Sequence, residues 1–151
     1  MAGLLSWVKI ENFASISKLW KYSGLAVGED GMAMKLKKGQ SICWNPKVKT
    51  LMWKIGESFV KTKGGYRDLY SQFRKEYDEK WAVMCTSSPK ACRERGKCCD
   101  GHRFAAAKRK TVKVFEAHYW QKSRLLKGLP IESPFIIGRD SHTHEIPIIE
   151  R

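Results

Sequence analysis

Acidic residues are the scarce component of this chain of 151 residues: 15 Asp and Glu stand against 29 Lys and Arg, a net charge of +14. So few carboxylates cannot neutralise the surface internally, and the excess cations form a field that attracts polyanions. Displacing counterions from phosphates then favours DNA or structured RNA as partner. Long apolar runs are also lacking. No stretch reaches bilayer-spanning length, and the start MAGLLSWVKIENF does not have signal-peptide form, so a cytoplasmic protein with no membrane partner is expected. There is no paired CxxC, no internal repeat and no low-complexity tract. What is present in quantity is core material: the chain is 42% hydrophobic, with six Trp, six Phe and five Tyr, which excludes a disordered chain and predicts one domain over residues 1–151.

The patterning is mainly α. Leu4 to Lys9 makes a short apolar turn. Ser15 is placed to start a short helix carrying Ile16, Leu19, Trp20 and Tyr22, and Gly24 to end it. Residues 28–44, with Gly28, Gly31 and Gly39 among alternating Met32, Met34 and Leu36, predict a loop or a small β-hairpin whose exposed positions are Lys35, Lys37 and Lys38. Asn45-Pro46 is a strong helix start, followed by Val48, Leu51, Met52, Ile55, Phe59 and Val60 at helical spacing. Gly64-Gly65 separates it from a second amphipathic helix with Tyr66, Leu69, Tyr70, Phe73, Tyr77 and Trp81 on one face, the pair forming a helical hairpin. A Cys-rich insertion at 85–102 precedes a long basic helix from Arg103 to Lys127, its apolar face formed by Phe104, Ala107, Val112, Phe115, Tyr119 and Leu126. Residues 129–151 read as an extended tail.

Two constellations carry chemistry. On the long helix Arg103, Lys108, Arg109, Lys110, Lys113, Lys122, Arg124 and Lys127 meet a single acid, Glu116, within the helix, and such a stripe fits a phosphate backbone. Trp120 and Tyr119 within it are expected to pack inward, since the helix needs a buried side. Together with Lys35, Lys37, Lys38, Lys47 and Lys49, the residues Arg103, Lys108, Arg109, Lys110 and Lys113 form the expected nucleic-acid-binding set. The second constellation is Cys85, Cys92, Cys98, Cys99 and His102, which offer five ligands to a structural zinc, although the spacing is irregular. The bland alternative is a set of reduced thiols. His142 and His144 could join it. Glu57 and Ser58 lie mid-helix, where a packing role is expected, and no complete catalytic set is present.

Taken in order, LLSWVKIENFASISKLWKYSGLAV, the glycine-lysine loop, WNPKVKTLMWKIGESFV, YRDLYSQFRKEY and GHRFAAAKRKTVKVFEAHYW resemble the carboxy-terminal domain of insertion-sequence transposases of the one-ten type, over residues 4–122. In that family a RuvC-like DEDD nuclease domain precedes this domain and a bridge RNA guides recombination. The resemblance implies a DNA- or guide-RNA-binding module with a helix-hairpin-helix-like start, truncated so that its first helix is absent, whose glycine turn offers backbone amides to phosphate. It also implies little catalysis by this chain alone. The nuclease-like carboxylates are not in it, and the loop after Tyr22-Ser23-Gly24-Leu25, where the family has a nucleophilic serine, reads GEDGMAMKLKKG. The nearest hydroxyl, Ser41, is not assigned that role. The alternatives are a recombinase subunit active with a separate nuclease-like chain, and a zinc-stabilised adaptor; an oligomer is compatible with either.

Overall fold

The computed structural model describes residues 2–28, 33, 34, 36, 38–82, 94, 98–131 and 149. The protein is mainly α. The helices are α1 (Ala2–Trp7), α2 (Ile16–Ser23), α3 (Pro46–Lys61), α4 (Gly65–Lys80) and α5 (Asp100–Leu126), with a 3-10 turn at Ile10–Asn12. The predicted hairpin is reduced, among the described residues, to one isolated bridge between Val27 and Ala33. The chain forms two compact units. Unit 1 comprises Met1–Trp53 and Lys113–Ile149, and unit 2 comprises Lys54–Val112 with Glu150–Arg151.

In unit 1, Ile16, Leu19 and Ser23 recur at helical spacing on α2 and are fully buried. Leu4, Val8, Ile10, Val48, Met52 and Trp120 complete the core, each large apolar side chain contributing about 2 kcal/mol by leaving water. Gly24 closes α2 in the left-handed region at φ 72°. A side chain there would be strained, and its Cβ would lie 2.8 Å from Lys49 Cδ and 3.1 Å from Trp44 Cγ. The Asn45 start holds: Asn45 Oδ1 accepts from the amides of Lys47 (3.0 Å) and Val48 (3.3 Å).

In unit 2, Leu69, Tyr70 and Phe73 of α4 are buried with Ala106, Ala107 and Val112 of α5. Phe59 stacks on Tyr66 with centroids 4.6 Å apart across the Gly64-Gly65 turn, and the Arg67 guanidinium donates to the Val60 carbonyl, so the expected helical hairpin forms. Gly56 lets the second half of α3 approach α5 closely, for a Cβ at this position would meet both Lys108 Cγ and Val112 Cγ2 at 2.8 Å.

One expected core residue lies outside. Leu126 is 77% exposed and borders an open cleft of about 480 Å³ lined also by Leu5, Ile10 and Tyr119. It stands at the last turn of α5, just before the left-handed Gly128, where the helix has run past the side chains that could cover it. Tyr119 and Trp120 are buried as expected, and Trp120 Nε1 donates to the Phe13 carbonyl at 2.8 Å.

Candidate nucleic-acid interface

The basic set expected from sequence separates into members with different surroundings. On the part of α5 in unit 2, three of the cations are met by carboxylates, most of them from other segments of that unit. Lys108 is 1% exposed; its ammonium binds Glu57, lies over the Phe104 ring, and holds the Glu57 carboxyl below the ordinary carboxylate range by donating a hydrogen bond to it. Arg103 reaches Asp78 at 3.2 Å and Asp100 at 3.8 Å. Lys110 binds Glu76 at 2.6 Å and caps the Phe73 ring. Arg109 is half-buried. The expectation of a solvated phosphate-binding stripe therefore fails for Lys108. Helical periodicity counts only acids on the same helix, whereas Glu57, Glu76 and Asp78 arrive from α3 and α4.

Past the unit boundary the same helix turns inward. The Lys113 ammonium lies 4.2 Å over the Trp20 ring, and burial lowers its pKa while the neighbouring Glu116 raises it. Arg124 is buried and donates to the carbonyls of Pro130 (2.7 Å) and Phe13 (3.1 Å), so it too is structural. Lys127 binds Glu11.

Unit 1 differs in charge. Its only acids among the described residues are Glu11, paired with Lys127, and Glu116, buried against Ser23. Lys18, Lys21, Lys38 and Lys47 are exposed and Lys49 is half-buried. Lys35 and Lys37 lie outside the described residues.

Two of these lysines, Lys47 and Lys49, sit on the first turn of α3, which is tied to the end of α2. Lys47 Nζ lies 4.5 Å over the Trp7 ring, and Lys49 Nζ 4.0 Å over Trp44. The Asn45 side-chain amide donates to the Tyr22 hydroxyl at 2.8 Å, and the Asn45 backbone amide to the Tyr22 carbonyl at 2.8 Å. The Tyr22 hydroxyl is 3.4 Å from the Trp7 carbonyl. The cluster is thus held by hydrogen bonds and ring contacts before any ligand arrives. The set expected from sequence includes Lys47 and Lys49 but neither Trp7 nor the exposed Lys18 and Lys21 of α2. The usable signal was the absence of acids from Asn12 to Gly28 around those lysines.

The glycine turn implied by the resemblance does not present open amides. Gly24 N donates to Lys21 O at 3.2 Å, and Leu25 N and Ala26 N donate to Trp20 O at 2.8 and 3.0 Å. At α3, Pro46 has no amide hydrogen and Asn45 occupies the next two. Any phosphate bound here would be held by lysine side chains.

Of the proposed zinc ligands, Cys85 and Cys92 lie outside the described residues, as do His142 and His144. Cys98 Sγ is 3.5 Å from His102 Nδ1, with Cys99 half-buried beside them. Among the described residues no group of three or more potential ligands converges. Also among them, no helix is long and apolar enough to cross a membrane.

No protein-family model, curated protein or solved structure matches this chain.

Proposed function

We propose that this chain is a DNA- or RNA-binding module, with unit 1 as its contact surface, and that it acts in or derives from transposition, as its likeness to the one-ten type of insertion-sequence transposase suggests. The observation that carries the reading is the lopsided charge of unit 1. Both described acids are consumed internally, while Lys18, Lys21, Lys38 and Lys47 stay exposed and Lys47 lies over the Trp7 ring. Exposed lysines of this kind neutralise phosphates. The contacts carry charge and no base-edge readout, so binding is expected to be salt-dependent and weakly sequence-selective.

Fluorescence anisotropy with labelled oligonucleotides across a salt series tests this. The double variant Lys47→Gln/Lys49→Gln is expected to bind roughly ten-fold more weakly, and to lose about 0.9 from the log–log salt slope on duplex DNA for each phosphate contact removed. Lys108→Met, which keeps the buried stem and removes an ammonium already committed to Glu57, is expected to leave affinity unchanged. Absence of any oligonucleotide binding at low salt rejects the proposal. A Lys108→Met effect as large as that of the double variant would relocate the interface to α5.

A further inference from the structure

Resting on that reading, we propose that unit 1 takes unpaired nucleotides, with a base stacked on the exposed indole of Trp7 and the neighbouring phosphate held by Lys47. Trp7 keeps 43% of its surface exposed, an unusual state for the largest apolar side chain at the end of a helix whose Leu4 is buried. Its position is fixed rather than loose. The Tyr22 hydroxyl lies 3.4 Å from its carbonyl, Asn45 holds that hydroxyl at 2.8 Å, and the Lys47 ammonium sits 4.5 Å from its ring centroid.

An indole with a cation over its ring and part of its surface exposed matches a nucleotide whose base face is open, because stacking on the exposed part and phosphate neutralisation are then satisfied by adjoining parts of one ligand. A duplex hides its base faces within the helical stack and would gain only the charge. Trp44, half-buried with Lys49 Nζ 4.0 Å over its ring, repeats the cation–ring pairing. The backbone amides around Gly24 and Asn45 are already used, leaving side chains as the available means of recognition. Stacking accepts every base, so the preference is for strandedness and not for sequence.

The test compares oligo-dT, oligo-rU and a duplex of equal length by anisotropy at low salt, using the full chain and its Trp7→Ala, Trp7→Phe and Lys47→Gln variants, each checked for unchanged helicity by circular dichroism. The expected result is single strands bound about ten-fold tighter than duplex. Trp7→Ala should remove most of that preference while leaving duplex affinity as it was, Trp7→Phe should retain most of it, and Lys47→Gln should weaken both ligand types alike. Equal or better binding of duplex, or undiminished single-strand affinity in a folded Trp7→Ala protein, overturns the stacking inference but leaves the nucleic-acid reading standing. Failure of both ligand types to bind removes that reading as well, as does binding to anionic phosphatidylserine vesicles with none to oligonucleotides.

Discussion

Replacing Glu116 with glutamine is expected to stabilise the protein at pH 8 and to abolish a loss of stability that the natural chain undergoes as pH rises from about 5. Glu116 is fully buried in unit 1, and burial pushes its carboxyl up from 4.5 to about 8, against the opposing effects of the Ser23 hydrogen bond and the Lys113 charge. The Ser23 hydroxyl lies 2.9 Å from Glu116 Oε2 and 3.2 Å from the Trp20 carbonyl. One hydroxyl carries one proton, so both contacts are met when Glu116 itself is protonated and donates in turn. The other carboxyl oxygen, Oε1, is buried with no partner among the described residues, which a negative charge tolerates poorly.

The sign follows from proton linkage. Between 4.5 and about 8 the folded chain holds a proton that the unfolded chain has released. Stability in that window therefore falls as pH rises, by about 1.4 kcal/mol per unit at most, and levels off above it. Glutamine has nearly the same shape and never ionises. The variant should gain on the order of 4 kcal/mol over the natural protein at pH 8 and almost nothing near pH 4.5. Subtracting denaturant-derived stabilities of the two proteins at each pH cancels the other titrating groups. Parallel pH curves would show that Glu116 is ionised in the fold.

Gly56→Val should destabilise unit 2 by roughly 2–3 kcal/mol, lowering the melting temperature by several degrees. Substituting a mid-helix glycine by alanine ordinarily helps by about 1 kcal/mol, since alanine restricts the unfolded chain and favours the helix. Here even one Cβ would stand 2.8 Å from Lys108 Cγ and Val112 Cγ2. The Lys108 stem is itself buried and anchored by its ammonium to Glu57, so it has little room to yield. Alanine is therefore expected to be net destabilising and valine more so, measured by thermal unfolding. A Gly56→Ala protein that melts higher than the natural one would show that α3 and α5 are less closely packed at this point.

The helices were legible because their signals are local. The Asn45-Pro46 start, the Gly64-Gly65 break and the left-handed Gly24 and Gly128 act through neighbouring backbone, and the apolar periodicity of α3, α4 and α5 identified most of the buried face. Leu126 was misplaced because periodicity continues to the end of a helix regardless of whether anything remains to cover it.

The site was less legible. The eight Lys and Arg from Arg103 to Lys127 read as one solvated stripe, because the carboxylates that meet three of them lie far away in sequence: Lys108 pairs with Glu57, Lys110 with Glu76, and Arg103 with Asp78. Pairing across such separations depends on helix packing, which residue spacing does not encode.

The basic balance, the mainly helical class and the positions of the helix ends were fixed by the amino-acid sequence alone, since charge is a property of composition and caps and turns act over a few residues. Tertiary structure decided which cations are consumed and which stay exposed. It placed Glu116 in an apolar interior beside Ser23, brought Trp7 and Lys47 together around Tyr22 and Asn45, and put Gly56 beneath Lys108. Each of these depends on the low dielectric of a packed interior or on contact between segments distant in the chain, and both arise only on folding.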